Sequence, residues 1–239
     1  MFVGWGETFA SWSRDGRLGA LPGGGEGRRV PSVTDTAGLA AADLAPTTDP
    51  ADADAGFGAT TDATTASWRE TSRTTVFSRF GRAVDRVDFR LPDGAEEVFY
   101  LKRERPAGAV LALTPDRRVV LARQYRPGPG RVLWDLPGGY LDPGEQAADA
   151  VARELLEETG YRGEVEAVGA YWLDAYTDAR RYAFVATGCV RVAEPQLEQT
   201  EFIDVVTLSL DEFRSRVLRA GLMSDTAAAY LALDHLRLL

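Results

Sequence analysis

Residues 136–161 read LPGGYLDPGEQAADAVARELLEETGY, and they set Glu154, Glu157 and Glu158 within five positions of one another. On an α-helix, residues three and four apart share a face, so these carboxylates converge, with Glu145 at the entry to the same segment. Like charges at that spacing repel by roughly 0.2–0.5 kcal/mol per pair, a cost that a bound cation offsets. Oxygen-only donors suit a hard divalent ion, Mg²⁺ or Mn²⁺. Such an ion keeps several waters and is shared between a few carboxylates and substrate phosphates, which points to phosphate chemistry. The Pro137-Gly138-Gly139 turn lets backbone approach a ligand without an intervening Cβ. The competing reading is a solvated acidic helix face, and the charge pattern alone leaves both standing.

The elements that must carry these residues are legible around them. Val87, Phe89 and Leu91 alternate with polar residues, Pro92-Asp93-Gly94 makes a turn, and Val98–Leu101 resumes, which predicts a hairpin. Ala109–Leu113 and Val119–Ala122 flank a second turn, Thr114 to Arg117. Further strands are expected at Val165–Trp172, Tyr182–Ala186 and Asp204–Leu208, and helices at about 145–159, 210–220 and 225–238. Ser209 and Glu212 stand at capping-box spacing before the second helix. Strands and helices mix without the regular alternation of a doubly wound sheet, so the fold class is α+β.

Residues 1–65 differ in texture. They are rich in Ala, Asp, Thr, Gly and Pro, show neither period of apolar residues, and hold nine acidic against four basic side chains. Such a composition buries too little surface to offset its ordering entropy, and a disordered tail is the expectation. The whole chain has 239 residues and a formal charge of −9, which argues against nucleic acid or an anionic membrane as partner. Cys189 is the single cysteine and His235 the single histidine, so an intrachain disulfide and multi-histidine metal sites are excluded. With no apolar run of membrane-spanning length and no basic-then-apolar start, a cytoplasmic protein is expected.

The full spacing narrows the chemistry. After Gly139, five residues precede Glu145 and seven more precede Arg153-Glu154-Leu155. One residue further come Glu157-Glu158, then Thr159, Gly160 and Tyr161. This resembles the Nudix box, G-x5-E-x7-R-E-U-x-E-E-x-G-U, at every specified position, Tyr161 standing where an aliphatic residue is more usual. The resemblance implies an α/β/α sandwich around a mixed sheet over residues 66–239, with the box as a loop–helix–loop that holds Mg²⁺ or Mn²⁺. It implies hydrolysis of a nucleoside diphosphate linked to another moiety, a small-molecule substrate, by water attack on one phosphorus. Carried onto this sequence, Glu154 and Glu158 lead the metal ligands, joined by Glu157 and the Gly138 carbonyl. Arg153 would orient the carboxylates.

Beyond the box, ARQYRPGPGRVLWDLPGGYLDPGE is similar to the ADP-ribose and ADP-sugar pyrophosphatases, which carry a Q-Y-R segment and an L-W-E-L-P-A-G run. Asp135 and Gly138 stand where that run has Glu and Ala. Arg126 is the candidate for gripping phosphate, since guanidinium forks match phosphate oxygens. Its alternative role is a strand-end arginine paired to a carboxylate. Gly139 would line the substrate site. A general base on a downstream loop is implied, with Glu201 first, Glu198 second and Glu194 also in that stretch. In the loop LDAYTDARR, this chain departs from the subgroup. Asp174-Ala175-Tyr176 replaces a proline-containing turn, and a tyrosine there is associated with diadenosine polyphosphate hydrolases. Tyr176 and Arg180, with Asp178 and Arg181, are candidates for shaping the substrate pocket. A dinucleoside polyphosphate or nucleoside triphosphate hydrolase, or a non-catalytic nucleotide-sugar sensor, are therefore alternatives. The resemblance also implies a homodimer.

Overall fold

The computed structural model describes residues 67–239, so the tail expected over 1–65 lies outside the described residues. The predicted hairpin is present and longer than its apolar pattern: β2 (Arg82–Arg90) pairs antiparallel with β3 (Glu96–Glu104). Its turn is closed by Leu91 N–H donating to the Ala95 carbonyl at 2.8 Å. A strand that the pattern does not announce, β1 (Arg69–Arg79), completes a three-stranded sheet in the order β1-β2-β3. All its residues are exposed. A strand with both faces in solvent needs no apolar alternation, and so displays none.

The larger sheet has seven strands: β4 (Ala107–Leu113), β5 (Arg118–Arg126), β6 (Arg131–Asp135), β7 (Gly138–Tyr140), β8 (Tyr161–Trp172), β9 (Arg180–Arg191) and β10 (Ile203–Ser209). Its main path runs β10-β5-β4-β9-β8, with β6 on β5 and β7 on β4. The β4–β9 pair is parallel and its neighbours are antiparallel, which makes the sheet mixed. β4 is buried on both faces and therefore reads as one apolar run. Ala109, Leu111 and Leu113 pack on one side and Val110 and Ala112 on the other.

Helices cover both faces. α1 (Ala147–Thr159) sets Ala147, Val151 and Leu155 against Val110, Ala112 and Phe184. On the opposite face lie α2 (Leu210–Glu212), its continuation Phe213–Leu218 and α3 (Thr226–His235). The α/β/α sandwich is thus observed. The Ser209–Glu212 capping box forms in full. The expected second helix is not α-helical throughout, because Phe213–Leu218 takes the wider π turn. That turn brings Phe213, Val217 and Leu218 together into the core, where all three are buried.

One irregularity of the sheet positions the site. The edge of β4 is shared: its end pairs with β5 at Ala112–Val120 and Leu113–Val119, its start with β7 from Ala107–Tyr140 to Ala109–Gly138. Between the two, Val110 N–H donates to the Pro137 carbonyl at 3.0 Å. The glycine turn is therefore wedged into a split sheet rather than hung from its surface.

Candidate active site

α1 explains where its acids go. Its buried stripe runs Ala147, Ala150, Val151, Leu155 and then Glu158, three positions on from Leu155 and on the same face. Glu158 is consequently only 5 % exposed, and its Oε2 accepts from Gly138 N–H at 3.0 Å. Burial and the nearby charges of Glu154 and Glu201 push its carboxyl up to about 8, against the Gly138 N–H and Arg126. Burial also raises Glu154, against the pull of Arg153. Glu154 closes over Gly139, where an added Cβ would overlap its carboxylate. At Gly138 a Cβ would overlap the Gly108 carbonyl, so this turn is packed too tightly for the alanine of the similar run.

Arg153 sits at the centre of the acids. Its Nε donates to Glu145 Oε1 at 3.0 Å and its Nη1 to Glu154 Oε1 and Glu157 Oε2, both at 3.0 Å. The Arg153 guanidinium holds Glu145 below the usual carboxylate range. Glu145 is therefore engaged by the arginine, and Glu157, 44 % exposed at its side chain, is turned to the same guanidinium. Glu154 and Glu158 are the pair left facing the glycine turn. Among the described residues no three acidic, histidine or cysteine groups are already gathered as a closed metal cage. The donors form an open half-shell of oxygens, with two carboxyls whose charge burial disfavours. That set fits a hard divalent ion that brings its own waters.

Gly138 and Gly139 also line a cavity of about 420 Å³, shared with Arg82, Glu104, Arg126, Tyr140, Arg181 and Asp225. Arg126 takes the pairing role the sequence allowed and also lines the cavity. Its Nε donates to the buried Asp135 carboxylate at 2.7 Å. Arg181 donates to Glu104 Oε2 at 3.1 Å, which also accepts from the Tyr140 hydroxyl at 3.3 Å. Arg82 reaches that hydroxyl through Nη2 at 3.2 Å. Asp225, at the start of α3, is raised to about 6 by burial and by Asp135. Sequence reasoning missed Arg82, Glu104, Tyr140, Ser224 and Asp225, whose convergence no local pattern announces.

The other candidates are placed differently. Glu201 lies close enough for its charge to act on both Glu154 and Glu158, and its Oε2 accepts from Glu198 N–H at 2.9 Å. Tyr176, 55 % exposed, stacks on Phe99 at 6.4 Å, and Arg180 lies over Trp172 at 4.5 Å. Neither lines the cavity. Their loop is instead tied to β3: Lys102 N–H donates to the Tyr176 carbonyl, and the Lys102 ammonium pairs with Asp174. Cys189 is buried and its thiol pushed up to about 11, an inert core group, while His235 faces Glu166 at 3.3 Å. No helix among the described residues is long and apolar enough to cross a membrane.

Comparison with known proteins follows the same lines. A family model described as NUDIX domain matches residues 102–228. The methanol dehydrogenase activator of Bacillus methanolicus is 32 % identical over 132 residues, 52 % of this chain and 69 % of that protein. The ADP-ribose pyrophosphatase of Bacillus subtilis (strain 168) is 27 % identical over 168 residues, covering 68 % and 89 %. The crystal structure of an ADP compounds hydrolase superposes with a TM-score of 0.61 at 20 % identity, over 72 % of this chain and 95 % of the other.

Proposed function

The chain belongs to the NUDIX domain family, and we propose that it hydrolyses the pyrophosphate of a nucleoside diphosphate joined to a second group. ADP-ribose or another ADP-sugar is the leading substrate, giving AMP and a sugar phosphate. The observation that carries this is the shared glycine turn. The half-buried Glu154 and the buried Glu158 pack on Gly139 and Gly138, and the same glycines floor the arginine-lined cavity. Carboxylates suited to a cation and guanidinium groups suited to phosphate thus meet at one place. The B. subtilis relative, matched over 89 % of its length, supports the ADP-ribose reading by its name.

Glu154 and Glu158 would hold the divalent ion, Mg²⁺ or Mn²⁺, with Glu157 and the Gly138 carbonyl beside them. When bound, such an ion neutralises pyrophosphate charge and makes water more acidic. Arg153 keeps Glu154 and Glu157 turned toward one another and spends its remaining donors on Glu145. Glu201 would take the proton of the attacking water, and the Glu198 amide steadies its carboxylate. Arg126 and Arg181, which line the cavity, would meet the phosphates and disperse their charge. As the water oxygen bonds to phosphorus, the bridging oxygen leaves with its electron pair.

Incubation with ADP-ribose and Mg²⁺ is expected to give AMP and ribose 5-phosphate. A panel of ADP-sugars, dinucleoside polyphosphates and nucleoside triphosphates identifies the substrate. Turnover of none of them overturns the enzymatic reading in favour of a sensor. Tyr176, the residue that suggested dinucleoside polyphosphates, stands outside the cavity lining, so no geometric feature favours that alternative. A homodimer is proposed as the working assembly. β1 and the turn after it leave Val76, Phe77 and Phe80 exposed, and analytical ultracentrifugation is expected to return twice the chain mass.

A further inference from the structure

The Asp135 carboxylate, 0 % exposed at its side chain, draws three donors from segments far apart in the chain. Arg126 Nε donates to Oδ2 at 2.7 Å, and Ser224 donates to Oδ1 through its amide at 2.8 Å and its hydroxyl at 2.9 Å. Trp134 N–H donates to the Leu222 carbonyl at 2.8 Å, clamping the same two segments one step away. Two of the three joined residues, Arg126 and Ser224, line the cavity, as does Asp225 beside them. Among the described residues, the Asp135 bond is the one hydrogen bond recorded for the Arg126 guanidinium.

We propose that Asp135 is a positioning residue for phosphate recognition: by occupying Nε alone, it fixes the guanidinium of Arg126 while leaving the two terminal nitrogens for substrate oxygens. This rests on the reading that the cavity takes a pyrophosphate. The chemistry supports a geometric role rather than a stabilising one. The pair returns little net stability, because Asp135 is desolvated by burial while Arg126, 36 % exposed at its side chain, is screened by solvent. What it does supply is a fixed orientation, which a bidentate guanidinium–phosphate contact demands. By holding Ser224 with its other oxygen, Asp135 also sets the start of α3, and with it Asp225, at a fixed distance from Arg126. The phosphate grip and the far wall of the pocket are built on one carboxylate.

Asp135→Asn tests this with little change of shape. An amide has one acceptor oxygen where the carboxylate has two, so its N–H₂ must face either Arg126 Nε or Ser224, donor against donor. The Kd for inorganic pyrophosphate, read by calorimetry in EDTA, is expected to weaken by about tenfold or more, the scale of a lost bidentate geometry. KM for whichever substrate the wild type turns over is expected to rise by a similar factor, with kcat changed by less than about threefold. In an Arg126→Ala background the same substitution is expected to add less than about threefold, because most of its effect passes through that arginine and only the Ser224 contact remains. Ser224→Ala, which removes one donor of three, gives a smaller rise. If Asp135→Asn does not fold, Arg126→Lys replaces it, since a single ammonium cannot both hold Asp135 and present a fork. Unchanged pyrophosphate affinity, or equal losses with and without Arg126, overturns the proposal. A wild type that binds pyrophosphate but hydrolyses nothing overturns the hydrolase reading instead, and leaves this one decided by calorimetry.

Discussion

Two clusters of charge flank the glycine turn, one at α1 and one lining the cavity, and they differ in whether that charge is balanced. At α1, Glu145, Glu154 and Glu157 gather on Arg153 with Glu158 and Glu201 beside them, and burial together with the charges of Glu154 and Glu201 raises the Glu158 carboxyl to about 8. Around the cavity, Arg82, Arg126 and Arg181 are matched by Glu104, Asp135 and Asp225, each acid joined to a guanidinium by contact or by field. On the proposed function, the first arrangement is completed by a cation. The second is complete, and it spends its carboxylates on holding guanidinium groups in place. A metal site tolerates an unpaired excess because the ion arrives later, whereas an anion site must be rigid before the anion comes.

The largest expected effect comes from removing one member of the unbalanced cluster. Glu158→Gln is expected to lower kcat by roughly two orders of magnitude or more, through loss of metal-assisted catalysis. Its metal-free melting temperature should not fall, since the replaced carboxyl is buried and raised. Near-wild-type turnover would break the assignment. Next, Glu201→Gln is expected to cost about 10²-fold in kcat, within the usual range for a general base, and Glu198→Gln less than about threefold. The reverse order in the same assay would move the base to Glu198.

A third effect is thermodynamic. A carboxyl raised from 4.5 to about 8 binds more protons folded than unfolded, so stability falls as pH rises through that window. Metal-free protein is therefore expected to melt at a lower temperature at pH 8 than at pH 5.5, with Asp225 adding in the same direction. Mg²⁺ is expected to raise the melting temperature more at pH 8 than at pH 6, because it compensates the ionised form. A melting temperature in EDTA independent of pH would contradict the imbalance. The smallest effect is expected at Tyr176→Ala: KM and kcat within about threefold of wild type, as suits a surface substitution outside the cavity lining. A tenfold rise in KM there would extend the substrate site to the Phe99 stack.

How far each part could be read depends on the distance over which it is built. Glu154, Leu155 and Glu158 lie within one turn and a half, so helical geometry alone places the acids beside the apolar stripe. The Ser209–Glu212 cap and the β2–β3 turn are likewise local, and both are found where the residues announce them. β1 escaped because both its faces are exposed, and the π turn at Phe213–Leu218 because burial of three side chains overrode the α-helical period.

The amino-acid sequence by itself determined the box: its spacing, its helix, and which acids share a face, since these follow from a repeat of 3.6 residues. Only the tertiary structure decided the balanced cluster, where Arg126 and Asp135 meet Ser224 and where Glu104 meets Arg181. Partners 77 and 89 positions apart leave no period in the sequence. They are brought together by the pairing of β5 with β6, the joining of the two sheets, and the return of α3 over the core.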